Sequence, residues 1–490
     1  MSPKAKYLKR HTVSPAAVIW AILLFIGYLS FFAARWFVST YGRLGFDSIL
    51  FTLNSDLHGV QSGLLTRFTL LALLPAVSLT AVTQLLLLRL LRGWMRVTAA
   101  VILVLFLICF AAWDVELDDY LLDQIQESDL YEKHYVDPDS VSITFPEEKR
   151  NLVYIMLESM ETTYLSKALG GGVEVNLIPE LHELAADNIN FSHNSGVGGF
   201  YCTSGATWTI GAMVAQTAGI PLKTPTEDVN DYGKEGEAFL PGVTSLTSIL
   251  RDEGYYQALM VGSNADFGGR RAYFTQHGMD MVYDLYTARK DGIVPRDYFV
   301  WWGMEDLHLF EYARQELTEI AAQDQPFAFT LLTVDTHHVG GYQCEFCTDS
   351  ISGETYDQSI SCSSRQVAEF VSWLQAQDFY ENTTVVIVGD HETMDNGYIQ
   401  RNVADSYQRM VYNCFLNSAA EVQVSKNRKF TAVDLFPTTL AAMGCQIEGN
   451  HLGLGTNLFS SSPTLAERMG FLRFDDELAK SSDYYEANFY

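Results

Sequence analysis

Basic residues are scarce in this chain: 32 Lys and Arg stand against 59 Asp and Glu, a formal net charge of −27. Most of the acids lie beyond residue 113. So acidic a surface argues against nucleic acid as a partner, because a phosphate backbone is bound by a basic stripe. It also removes bulk attraction to anionic lipid or teichoic polymers, so an anionic substrate must be held by a metal and a few local cations. Cysteine is sparse too, at 7 residues. Cys344-x-x-Cys347 has no second pair at zinc-ribbon spacing, which makes zinc the lesser reading there and a disulfide within Cys344, Cys347 and Cys362 the expectation. There is no internal repeat, and no low-complexity tract beyond the acidic, tyrosine-rich Asp483 to Tyr490.

Long apolar runs are present, and they sit at the N-terminus. Ala16 to Ala34, Phe68 to Leu88 and Val97 to Trp113 each approach the roughly 20 residues that cross a bilayer core. Lys4, Lys6, Lys9 and Arg10 precede the first run, as in a signal peptide, but two further runs follow, which favours three spans. The basic cluster Arg89, Arg92, Arg96 then falls on the same side as Lys4 to Arg10, the cytoplasmic one, and everything after Trp113 lies outside. Phe46 to Leu65 is too polar to span and reads as an interfacial helix. The expected organisation is a membrane domain over 1–113, a charged juxtamembrane linker over 114–150, a catalytic domain over 151–465 and a tail over 466–490.

Beyond residue 150 the pattern changes. Leu152 to Leu157, Phe327 to Val334 and Thr383 to Val388 are short apolar runs bounded by polar residues, as buried parallel strands are. Helix-like stretches lie between and around them: Ile178 to Ala186, Val243 to Glu253, Leu307 to Gln323 and Arg365 to Gln377. The expected class is α/β, with a mainly parallel central sheet.

In such sheets ligands gather at the carboxyl ends of strands. Glu158 follows the first run, and Asp390-His391 follows the third, so two carboxylates and an imidazole can meet around a divalent cation. Each alone has a plainer explanation as a capping or turn residue. Gly198-Gly-Phe-Tyr-Cys-Thr-Ser-Gly-Ala-Thr-Trp-Thr209 brings hydroxyls to the helix-like Trp208 to Gln216. A hydroxyl there is an ordinary N-cap, or it lies where free N–H groups stabilise an alkoxide or a phosphate. Asp335-Thr-His-His338 follows the second run, with its histidines either buried structural groups or substrate-facing ones.

The order of these motifs, closed by Asp434-Leu-Phe-Pro-Thr-Thr439, resembles the sulfatase-like branch of the alkaline-phosphatase superfamily. Within it the chain is similar to the lipoteichoic acid synthase and phosphoglycerol transferase group, which joins membrane spans to an extracellular catalytic domain. The resemblance implies a metal site of Glu158, Thr203, Asp390 and His391, holding Mn2+ or Mg2+ with Zn2+ as runner-up. It makes Thr203 the nucleophile, with Ser204 and Thr207 as rivals, and places Arg270, His337 and His338 on the substrate side. The implied reaction moves glycerophosphate from a phosphatidylglycerol-type lipid to an envelope glycan or polymer acceptor through a phospho-threonine. Phosphoethanolamine transfer, ester hydrolysis and a non-catalytic binding module are the alternatives. Val261-Gly-Ser-Asn-Ala-Asp-Phe-Gly-Gly-Arg270 is more similar to the osmoregulated-glucan transferases than to lipoteichoic acid synthases. Cys202-Thr-Ser-Gly-Ala206 lacks the Pro and Arg of a formylglycine motif, which disfavours sulfate-ester hydrolysis.

Overall fold

Alternating side chains in the apolar runs after Arg150 feed two separate cores. The structure, a computed structural model, describes residues 15–43, 45–46, 49–50, 62–223, 238–347 and 353–490. Its main sheet is built from β1 (Asn151–Leu157), β2 (Gly199–Phe200), β3 (Tyr256–Val261), β4 (Met281–Tyr283), β5 (Phe327–Leu332), β6 (Thr383–Gly389) and β7 (Val411–Leu416). The spatial order is β2-β7-β6-β1-β5-β3-β4. From β6 to β4 all pairings are parallel, while β7 runs antiparallel to β6 and β2 antiparallel to β7. The mainly parallel sheet expected from the sequence is therefore present.

Leu152, Tyr154 and Met156 pack on one face with the helix Thr209–Ala218. Val153, Ile155 and Leu157 pack on the other with the helices Asp306–Ala321 and Thr355–Gln375. Helices on both faces are what a sheet buried on both sides requires. The last helix starts ten residues before its expected Arg365, because its first turns carry buried serines, Cys362 and Gln366 rather than an apolar stripe. The residues expected as a tail are part of the core. Phe474, Leu478, Tyr485 and Phe489 are buried, and Tyr131 stacks edge-on against Tyr485 and Phe489.

The chain divides into two compact units, the first holding the N-terminal helices and ending at Asp119, the second running from Tyr120. In the first, Pro15–Tyr41, Leu64–Leu90 and Trp94–Asp114 are long and apolar enough to cross a membrane. The first helix packs along the third, with Gly27 facing Val104 and Leu107. Gln84 Nε2 donates to the Ala17 carbonyl at 2.7 Å, tying the second helix to the first. Leu70, Leu71, Leu85, Ile102 and Phe106 are more than half exposed, a surface suited to an apolar medium rather than water. The interfacial segment expected near 46–65 lies mostly outside the described residues.

Ile155 is fully buried at the centre of β1. Ile155→Ala is expected to cost about 2–5 kcal/mol through lost burial and a residual cavity. A thermal unfolding midpoint unchanged from wild type would show that the packing around β1 relaxes to fill the space.

Candidate active site

Parallel pairing sets Leu157 of β1 opposite Gly389 of β6, so Glu158 and Asp390 leave the sheet side by side. Gly389 has no room for a side chain: a Cβ there would meet the Met160 carbonyl oxygen at 2.1 Å. Ser159 turns through a φ of 52°, a left-handed conformation costing a non-glycine residue about 1 kcal/mol or more. The turn is held from both strands. The Ser159 N–H donates to Asp390 Oδ1 at 2.8 Å and its hydroxyl to Glu158 Oε1 at 2.7 Å. From the end of β5, Thr333 Oγ1 accepts the Glu158 N–H at 2.9 Å.

His391 is oriented by its own backbone neighbour. Nδ1–H donates to the Glu392 carbonyl at 2.8 Å, which leaves Nε2 as the lone-pair nitrogen. Nε2 lies 3.3 Å from Asp390 Oδ2 and 3.7 Å from Glu158 Oε1. One ligand atom from each of these three buried side chains falls within 4.8 Å of the others. Asp390 Oδ2 is buried and accepts no hydrogen bond, the orphaned atom that a cation would satisfy. Two carboxylates and one imidazole fit a divalent ion, and these are three of the four side chains expected to hold one.

A hydroxyl not among those expected faces this cluster. Thr209 opens the helix Thr209–Ala218, and its Oγ1 lies 3.5 Å from Glu158 Oε2 and 3.5 Å from His391 Nε2. Gln216, two turns on, donates to the carbonyls of Gly389 and Asp390 at 3.1 and 3.3 Å, pinning the helix to the end of β6. Thr203 is buried, but its hydroxyl makes no hydrogen bond. The chain turns at Thr203, whose carbonyl accepts the Ala206 N–H, and Asp475 holds the Ser204 amide at 2.7 Å. Thr209 was legible by the same criterion: it is the first hydroxyl of the apolar helical run.

A cavity of about 560 Å³ opens beside the cluster, lined among others by Glu158, Thr209, Arg270, Arg289, Trp302 and His337. Gly268 and Gly269, with φ of 67° and 73°, turn the chain so that Arg270 starts a new helix. Arg270 Nη2 donates to Ser263 Oγ at 3.0 Å and the Asn264 carbonyl at 2.7 Å, and Nε to the Phe267 carbonyl at 2.9 Å. Burial lowers its guanidinium to about 10, with Glu158, Asp284 and Asp390 working the other way, so it stays charged. His337 stacks on Trp302 with ring centroids 4.4 Å apart, and burial pushes it down to about 4, which keeps it neutral. Its Nδ1 lies 2.7 Å from the His338 carbonyl, so the proton sits there and Nε2 can accept. His338 stacks on His337 and is not among the residues lining the cavity.

Behind the ligands lies a clamp that no motif announced. Arg409 pairs with both oxygens of the buried Glu161, three residues beyond Glu158, and reaches Glu392 Oε2 at 3.5 Å, next to His391. It also donates to the Thr393 carbonyl at 2.9 Å, while the Thr393 N–H donates to Glu161 at 2.8 Å. The two ligand-bearing loops are thereby locked together by a buried, multiply bonded ion pair.

A divalent-cation cluster at the carboxyl ends of a mainly parallel sheet, faced by a hydroxyl at a helix start, defines an alkaline-phosphatase-like protein. The Sulfatase family model matches residues 150–445, and the chain belongs to that family. Phosphoglycerol transferase I of Xanthomonas campestris pv. campestris is 32% identical over 259 residues, 51% of this chain and 35% of that protein. The phosphoglycerol transferase I of Escherichia coli is 31% identical over 269 residues, 54% of this chain and 33% of that one. The chain thus matches about a third of the length of these curated relatives. The integral membrane lipooligosaccharide phosphoethanolamine transferase A of Neisseria meningitidis shares the fold, with a TM-score of 0.51 at 12% identity, covering 89% of this chain and 85% of that one.

Burial, and then Glu158, pushes Asp390 up to about 7 when no cation is bound. A raised carboxylate keeps its proton below that pH, and a cation must displace it. Mn2+ affinity is therefore expected to climb about tenfold per pH unit between pH 5 and 7 and to level off above. Asp390→Asn should lose both the slope and most of the affinity in calorimetric titration. An affinity flat across that window in the wild type would take Asp390 out of the ligand set.

Proposed function

We propose that the chain is a membrane-anchored, metal-dependent phosphoglycerol transferase. It moves glycerophosphate from a phosphatidylglycerol-type lipid to an envelope glycan or polymer hydroxyl, through a covalent intermediate on Thr209. The observation that carries this reading is the position of Thr209 Oγ1, 3.5 Å from both Glu158 and His391 and on the same cavity as Arg270. A free threonine hydroxyl is a poor nucleophile near neutral pH. A divalent ion held by Glu158, Asp390 and His391, with Mn2+ or Mg2+ preferred over Zn2+, would lower the hydroxyl's pKa and offset phosphoryl charge.

The residues of the chain divide the work. Thr209 Oγ attacks phosphorus as the bond to the diacylglycerol oxygen breaks, and the hydroxyl proton leaves with the lipid alcohol. The acceptor hydroxyl then attacks the same phosphorus, and Thr209 regains a proton. Free N–H groups at the start of the Thr209 helix and the Arg270 guanidinium stabilise the charge on the phosphoryl oxygens. Neutral His337, with Nε2 able to accept, relays protons between the alcohols and Thr209. Likeness to the phosphoglycerol transferases supports the donor headgroup. The three apolar helices support a donor reached within the bilayer, and the basic clusters flanking them favour a catalytic unit on the outer side.

Mass spectrometry after exposure to phosphatidylglycerol is expected to show one glycerophosphate on the peptide containing Thr209. Thr209→Ala should lose turnover by at least about 10³-fold, as removal of a nucleophile does, whereas Thr203→Ala should keep most of it. An adduct on Thr203, or comparable losses in the two variants, would return the role to the loop. Release of free glycerophosphate, with no transfer to any added alcohol, would mark a hydrolase instead.

A further inference from the structure

The loop that carries His337 runs on towards the helix Thr355–Gln375, and three buried cysteines gather where the two meet. Cys347 closes the short turn Glu345–Cys347 and is bonded to Cys362 in the second turn of the helix. Cys344 Sγ lies 3.5 Å from Cys347 Sγ and 3.9 Å from Cys362 Sγ, in contact with both bonded sulfurs. Gln366, one turn beyond Cys362, donates its amide to Cys362 Sγ at 3.3 Å and to Cys344 Sγ at 3.7 Å. Its Oε1 is buried and accepts no hydrogen bond, so this amide spends its polar contacts on sulfur.

We propose that Cys344, Cys347 and Cys362 form a thiol–disulfide exchange site that decides whether the His337 loop is stapled to the helix. The Cys344 thiolate attacks Cys347 Sγ; the Cys344–Cys347 bond forms as the Cys347–Cys362 bond breaks, and the Cys362 sulfur leaves as a thiolate. The proton given up by Cys344 ends on Cys362. One disulfide and one thiol stand on each side of the step, so no oxidant or reductant is consumed. The Gln366 N–H stabilises the departing thiolate, and a better-stabilised leaving sulfur departs faster.

The three sulfurs form a compact triangle, so Cys344 Sγ must swing from beside the Cys347–Cys362 bond to its end before it attacks. Cys347 is the nearer of the two sulfurs to Cys344, and Cys362 is the one held closest by Gln366. The product disulfide lies within the loop itself, so no cross-link beyond the continuous chain then joins loop to helix, and contacts such as the Ser359 hydroxyl on the Tyr342 carbonyl at 2.9 Å hold them together. A purely structural staple needs two cysteines, and a third buried against both sulfurs adds nothing to it. Burial, with Asp335 and Asp306 adding to it, pushes the Cys344 thiol up to about 11. The exchange is accordingly slow beside catalytic turnover, on the scale of uncatalysed disulfide rearrangement.

The full chain in detergent micelles, incubated at mildly alkaline pH, quenched with acid, alkylated during denaturation and mapped without reduction, tests this. Wild type is expected to yield both Cys347–Cys362 and Cys344–Cys347 peptides, with alkylation on Cys362 as well as Cys344. Cys344→Ser should lose the Cys362 label entirely. A Cys362 that is never labelled in wild type overturns the exchange. Hydrogen exchange tests the tether separately: Cys362→Ser, with its bond confined to the loop, should exchange residues 333–347 faster than Cys344→Ser, and equal protection overturns the stapling role.

Discussion

The site depends on one piece of register: Leu157 and Gly389 stand opposite each other in a parallel ladder. Parallel strands present their carboxyl ends on the same edge, so the residue after each arrives at the same height. Two buried carboxylates are thereby placed where neither can turn to water, and that burial, with their mutual repulsion added to it, raises Asp390. The fold counters this with fixed donors, the Ser159 and His391 N–H groups on Asp390 Oδ1 and the Ser159 hydroxyl on Glu158. What these donors leave uncompensated is what a cation would take up.

Arg409 extends the same logic one layer back. Glu161 and Glu392 flank the ligand loops, and without the guanidinium between them the region would hold four acids beside a single imidazole. Breaking such a buried pair leaves an uncompensated charge, a cost of about 3–5 kcal/mol. The helix bearing Thr209 is fixed by different means. Ile210, Met213, Val214 and Ala218 lock it to the sheet through apolar packing, and Gln216 sets its depth against the end of β6. Thr209 therefore meets the cluster as part of a rigid element, whereas Thr203 sits in a turn whose neighbouring Ser204 is tied to Asp475.

Legibility in the sequence followed burial. β1, β5 and β6 read clearly because strands covered on both faces are continuously apolar, and Glu158, Asp390 and His391 came with them. β3 and β7 did not, because each carries a buried polar residue that only the fold satisfies. Gln257 Nε2 reaches the Thr247 and Gly278 carbonyls, and Asn413 pairs with the backbone of Phe191. The same holds for Glu161 and Arg409, 248 positions apart, whose pairing has no local signature. The last helix reads as an acidic tail because its large apolar residues are only tyrosine and phenylalanine, yet Tyr485 and Phe489 are fully buried. At the helix start local chemistry was visible, but the approach of Thr209 to Glu158 and His391 depends on how the helix docks against the end of β6.

The charge balance gives the proposed reading its last physical support. A chain carrying −27 repels free anions, yet its cavity holds Arg270 and Arg289 beside a cation-ready cluster. Repulsion from surface charge fades over about 8 Å at physiological ionic strength, so it acts on soluble anions approaching through water. A phosphodiester carried on a lipid is delivered by its tails, and its binding cost is reduced by confinement to the layer that the three apolar helices occupy. An acidic exterior with a locally cationic pocket thus discriminates between two sources of the same phosphate chemistry without contacting anything beyond the headgroup. On the proposed reading a phosphate in the pocket would be held at short range by Arg270, Arg289 and the cation, which there must offset Glu158 and Asp266 on the same wall.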